Sequence, residues 1–214
     1  MGVPNIYRKS PSAVASYDYF DIASGTGIKT FYAGDVNSTV ANTAGEYILQ
    51  PNQFYSDVGA TTIASTSTAD VDFDVVLNRP LNVKGDCSVN VPLLLVDDNG
   101  AGNEDITVTA KLRKWDGTTE TEIASDTAIH GGNPDQNDGM TLMYCIKFSI
   151  SSVVHFKKGE TLRLTIQTSA PDSDHHAVLG HDPMGRLTVD DTTGTDAWET
   201  TTALTLNLPI VVDV

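Results

Sequence analysis

The residues best equipped for chemistry lie in two short stretches. Between Asp172 and Asp182 the order Asp-Ser-Asp-His-His-Ala-Val-Leu-Gly-His-Asp gathers three of the chain's five histidines with three aspartates. Imidazole and carboxylate suit zinc or iron when two or three of them aim at one point with further groups behind them. His175, His176 and His181 are the candidate ligands, and His175 and His181 share a strand face only if Gly180 leaves the strand unbroken. A loop-edge group hydrogen-bonded to its own aspartates is the preferred reading. The second stretch crowds Asp97, Asp98, Asn99, Asn103, Glu104 and Asp105 around Gly100 and Gly102. Hard oxygens of this kind, Asp97, Asn99 and Asp105 first among them, suit calcium. The spacing leaves that of an EF-hand loop after its first residues, and a solvated Asp-Asn-Gly turn makes the same pattern for conformational reasons.

Signatures of other chemistry are missing. There is no G-x-S-x-G nucleophile elbow, no Walker loop and no dinucleotide glycine fingerprint, since Gly25-Thr-Gly27 is too short. Abundant carboxylates do not by themselves make a glycosidase pair. The expectation is therefore no catalytic residue, no cofactor and no enzyme. Trp115 and Trp198, with Tyr144, could stack on sugars, but aromatics are 7% of the chain and core packing accounts for most of them. A net charge of -15 repels nucleic-acid phosphates and anionic lipid heads, so neither nucleic acid nor membrane is an expected partner. The first ten residues lack the apolar run of a secretory signal, which places synthesis and retention in the cytoplasm. Cys87 and Cys145 sit in separate strand-like runs outside any CxxC pair, and two buried thiols are expected rather than a disulfide.

The elements that must position these groups repeat every two residues. Leu142, Tyr144, Ile146, Phe148 and Ile150 alternate with Met143, Cys145, Lys147 and Ser149. Ile106, Val108, Ala110 and Leu112 do the same before Asp116-Gly117 turns the chain back through Glu120 to Ser125 as a hairpin. Leu162 to Ile166, Leu204 to Ile210 and Val71 to Leu77 follow the pattern. Cys87 to Val96 is an apolar stretch with Pro92 inside it, and because proline cannot donate to a ladder, an edge position or a bulge is expected there. No apolar stripe has helical spacing, and helix should be scarce. The fold expected is all-β: a jelly-roll-like β-sandwich over 41–214 with an extended N-terminal segment over 1–40. That segment reads as a docking arm or as an edge strand. Ile6, Tyr7, Tyr17, Tyr19, Phe20 and Phe31 would anchor it, and Arg8 and Lys9 form a basic spot on an acidic chain.

Three passages carry a resemblance. Val153 to Ile166, with Lys-Gly-Glu at its turn, resembles a strand-turn-strand phrase of viral and phage jelly rolls. Leu179 to Arg186 and Leu204 to Val212 are similar to the closing portion of virion structural proteins, of capsid decoration type, from tailed bacteriophages and related archaeal viruses, and Tyr17 to Tyr32 resembles such chains too. The resemblance implies a virion location, a major capsid protein lattice as partner, and a homo-oligomer, with a trimer favoured. The competing readings are a carbohydrate- or receptor-binding sandwich and a metal-dependent cupin-like enzyme, although the cupin His-x-His spacing followed by glutamate is absent.

Overall fold

A computed structural model describes residues 26–36, 46–55, 60–64, 70–97, 106–130, 139–169, 175–184, 189–190, 197–198 and 203–211. Every regular element among them is a strand: β1 (Thr26–Val36), β2 (Glu46–Gln50), β3 (Ala60–Ala64), β4 (Val71–Val76), β5 (Leu81–Asp97), β6 (Ile106–Trp115), β7 (Glu120–His130), β8 (Gly139–Phe156), β9 (Thr161–Ser169), β10 (His175–Gly180), β11 (Val189–Asp190), β12 (Ala197–Trp198) and β13 (Thr205–Val211). The protein is thus all-β and sandwich-like, as the period-two runs require.

Eleven strands form one sheet in the order β3-β10-β5-β13-β1-β2-β4-β9-β6-β7, with β8 beside β5, and β11 pairs β12 separately. The sheet curls until β7 comes back near β8. Inside the curl the apolar face of each strand meets the others. Ile106, Val108, Ala110 and Leu112 are buried while their alternates are half exposed. Ile146, Phe148 and Ile150 point inward, and Met143, Cys145, Lys147 and Ser149 point outward. Phe31, Phe73 and Phe156, all at 1% exposure or less, fill the centre with Leu49, Leu95, Leu162 and Leu164. A filled interior of this kind is a core.

Local chemistry sets the bends. Asp116 Oδ1 accepts from the backbone N–H of Thr118 and Thr119, 2.8 Å each, and Gly117 takes φ 98°, so the β6–β7 hairpin closes where Asp-Gly stands. Gly159, at φ 93°, makes the β8–β9 turn in Lys158-Gly159-Glu160, and Glu160 Oε2 accepts from the N–H of Lys157.

Pro92 departs from expectation, because β5 is neither an edge strand nor bulged there. One edge of β5 pairs β8 almost throughout, while the other pairs β13 through Asn90 and then β10 from Leu93. Pro92 falls in the gap between those two partners, where a missing donor withholds nothing from that edge. The bulge lies elsewhere, between Val83 and Gly85, where Gly85 takes φ 114° beside Pro209, itself inside the register shift of β13.

The N-terminal division also looks different in three dimensions. Residues 26–36, within the 1–40 segment, form β1, which pairs β13 on one side and β2 on the other and buries Phe31 and Ala33. These residues belong to the body, and residues 1–25 lie outside the described ones.

Candidate functional site

A shallow groove lies at the junction of β2 and β4. These strands run parallel and share a single Cα pair, Ile48↔Asp74. Each is fixed on its far side by a longer antiparallel ladder, β2 by β1 and β4 by β9. A groove of about 380 Å³ beside this seam is lined by Tyr47, Ile48, Leu49, Gln50, Asp74, Val75, Val76 and Thr161. Val76, 65% exposed, leaves an apolar wall in solvent.

Beside the groove, the outward face of β4, β9, β6 and β7 is built from charge. Arg113 and Arg163 stand directly opposite each other on β6 and β9, an arrangement that repels unless carboxylates intervene. Asp74 takes Arg163 in a two-pronged pair, Nε to Oδ1 at 2.8 Å and Nη2 to Oδ2 at 2.7 Å. Glu120 bridges both guanidiniums, 2.8 Å from Arg163 and 3.3 Å from Arg113, and Asp70 holds Arg113 at 2.9 Å. Asp72 lies 3.2 Å from Arg163 and accepts from the Thr165 hydroxyl. The Asp74 hydrogen bonds are the main cause that raises the Arg163 pKa above its ordinary value. Within this network four carboxylates meet two guanidiniums.

Of the candidate metal ligands, His181 has its side chain among the described residues. His181 is fully buried, edge-on to Tyr47 at 5.5 Å between ring centroids and 5.9 Å from Phe73. Burial pulls its pKa down from 6.5 to about 4, with neighbouring Asp182 opposing. Its setting is aromatic. Gly180 ends β10, so His181 follows the strand that His175 begins. His175 stands opposite Asp97 in the β10–β5 register and His176 opposite Val96, while their side chains lie outside the described residues. Asn99 and Asp105 of the acidic loop lie outside them too, as do Ile6, Tyr7, Arg8, Lys9, Tyr17, Tyr19 and Phe20. Among the described residues no group of three or more His, Cys, Asp or Glu side chains is gathered to hold a metal. Trp115 is half-buried at the end of β6, and of Trp198 only the backbone in β12 is described.

The pair of buried thiols is corrected. Cys87 is buried and desolvation pushes it up to about 12, whereas Cys145 is exposed on the outward face of β8, and both are free. The groove itself was missed. Its only trace in the sequence is the alternation of Val71 and Phe73 with Asp72 and Asp74, which aligns two carboxylates on the outer face.

No family model and no curated protein sequence matches this chain. Solved structures do. A CocE/NonD family hydrolase from Staphylococcus aureus superposes with a TM-score of 0.51 at 13% identity, covering 87% of this chain and 37% of the hydrolase. An aminopeptidase from a marine sediment archaeon, Thaumarchaeota archaeon, gives 0.50 at 12% identity, with 85% and 37% covered. An IBDV viral particle chain gives 0.32 at 13% identity, a likeness too slight to argue from. The hydrolase likenesses overturn the expectation that this chain stands apart from enzymes, because its fold is one that hydrolase chains contain. At these identities they show the fold alone, and this chain spans 37% of either hydrolase's length. No helix among the described residues is long and apolar enough to cross a membrane.

Proposed function

We propose that this chain is a virion structural protein, of capsid decoration type, that binds a major capsid protein lattice and adds contacts between neighbouring shell subunits. The observation that carries this reading is the division of the molecule into a filled apolar interior and an outer surface organised by strand edges, a seam and a charge lattice. A protein so built presents broad faces to a partner, and binding there raises the stability of the assembled state by mass action. The passages resembling virion proteins supply the identity of that partner. Co-sedimentation of the full chain with assembled shells of the major capsid protein encoded near it tests the reading. Saturable binding is expected, and pelleting no greater than without shells would refute it.

A second reading has its own observation, the TM-scores of 0.51 and 0.50 to hydrolases. On that reading the chain is a β-sandwich module serving a hydrolase. Release of p-nitrophenol from esters, or of p-nitroaniline from aminoacyl anilides, by the full chain or by a hydrolase it co-purifies with would favour it.

A further inference from the structure

We infer that the end of the molecule formed by the β4–β5 connection and the β8–β9 turn, with Arg79, Lys84, Lys157 and Lys158 on its surface, docks onto a compact acidic site of a partner protein. The inference rests on the reading of this chain as one that binds a larger assembly, and it names the face that makes the contact.

The backbone fixes the patch. Leu77 donates its N–H to the Glu160 carbonyl at 2.9 Å, and its own carbonyl accepts from the Gly159 N–H at 2.7 Å, so the two turns are tied side by side. Leu81 then pairs Phe156 at the start of the β5–β8 ladder. Arg79 is thereby held next to Lys157 and Lys158, and all three are exposed. Further along β5, Lys84 is exposed in the bulge between Val83 and Gly85. Turns closed by backbone hydrogen bonds have little freedom left to lose on binding.

The carboxylates at this end are already engaged. Glu160 Oε2 lies 2.6 Å from Lys114 Nζ and accepts from the Lys157 N–H. Asp116 accepts from the N–H groups of Thr118 and Thr119, and Asp86 accepts from the Ser149 hydroxyl. Glu120, at the start of β7, is held between Arg113 and Arg163. Lys114 is matched by Glu160, whereas Arg79, Lys84, Lys157 and Lys158 enter no ion pair among the described residues.

The surroundings select the class of partner. Val76, 65% exposed, immediately precedes Leu77, and Val153, 52% exposed, precedes the Val154 that pairs Val83 beside Lys84. Apolar side chains among cations match the mixed composition of a protein interface. A nucleic-acid duplex or an anionic bilayer extends far past the patch and meets the field of a chain whose net charge is -15. A compact acidic site meets the patch alone, because salt screens exposed charges beyond about 8 Å at physiological ionic strength.

The test titrates the full chain, labelled with nitrogen-15, with a short peptide alternating Glu and Val. Amide shifts at 77–84 and 153–160 that fade as salt is raised are the expected result. Shifts confined to other residues, no shifts, or a stronger response to a short DNA duplex would each overturn the inference. The triple substitution Arg79→Glu, Lys157→Glu and Lys158→Glu is expected to remove those shifts and to weaken co-sedimentation with shells roughly tenfold or more, at an unchanged melting temperature. Lys147→Glu, on the outward face of β8, is expected to change neither. A triple variant that binds the peptide like wild type, or a Lys147→Glu variant that loses binding equally, would contradict the assignment, and a triple variant that fails to fold leaves the wild-type titration to decide. The two proposals fail separately. Peptide shifts at the patch in a chain unable to pellet with shells sink the shell role alone, and shell binding without those shifts sinks the patch alone.

Discussion

At the residue scale, His181 shows how far chemistry depends on surroundings. Its neighbours in sequence, Gly180 and Asp182, and the two histidines before them suggested ligation, yet the ring sits against Tyr47 and Phe73 in the interior. A histidine whose folded pKa lies below its unfolded value binds its proton later in the folded state than in the unfolded chain. Its contribution to stability is complete above pH 6.5 and is lost as pH falls toward about 4, where the folded state protonates. At 1.36 kcal/mol per unit this amounts to about 3 kcal/mol. Urea unfolding across that range should show wild-type stability falling with pH, and His181→Phe should remove that part of the slope. An identical slope in the variant would contradict the assignment. Cys145 teaches the complementary point. The same alternation that buries Ile146 and Phe148 turns Cys145 outward, so the general tendency of cysteines to be buried was the weaker guide, and strand parity decided the outcome. Cys145 should react with a maleimide in the native protein while Cys87 stays protected until unfolding, as mass spectrometry of the labelled chain would show.

At the element scale, most strands were legible because each presents one apolar face to one core. The alternations in β4, β6, β8, β9 and β13 are read directly from side-chain type. What could not be read was which strand lies next to which. Pro92 looked like an edge marker, yet β5 changes partners beside it, and that depends on the distant β10 and β13. The seam is illegible for the same reason, since the single pair Ile48↔Asp74 joins segments that no local pattern connects. β1 was similarly obscured, its Gly27 and Gly34 breaking the apolar rhythm although Phe31 and Ala33 lie in the core. Gly34 serves a close approach: a Cβ there would come within 2.7 Å of the Phe54 ring. Two deletions separate arm from body. Removing residues 1–25 should leave the β-type circular dichroism spectrum and cooperative melting intact. Extending the deletion through Tyr32 removes the middle of the β13-β1-β2 ladder and should give an unfolded or insoluble chain. Equal behaviour of the two would refute this partition. Within the core, Phe73→Ala should cost about 3–5 kcal/mol by denaturant unfolding, through lost burial and the cavity left behind. Val76→Ser on the same strand should change stability by no more than about 0.5 kcal/mol.

At the scale of the whole molecule, the described residues gather most of their large apolar side chains into one interior and set a network of charges on one outer face. Arg113, Arg163 and their carboxylates tie four strands together on one face. A shared fold with hydrolases at 13% and 12% identity leaves the role to be argued from surfaces, because one architecture carries many functions. The proposed role makes a quantitative demand: a decoration protein occupies its lattice at a fixed ratio. Quantitative mass spectrometry of gradient-purified virus particles from the source of this gene measures that ratio directly. The account predicts a constant stoichiometry between this chain and the major capsid protein across the particle peak, and absence of the chain from those particles would contradict it.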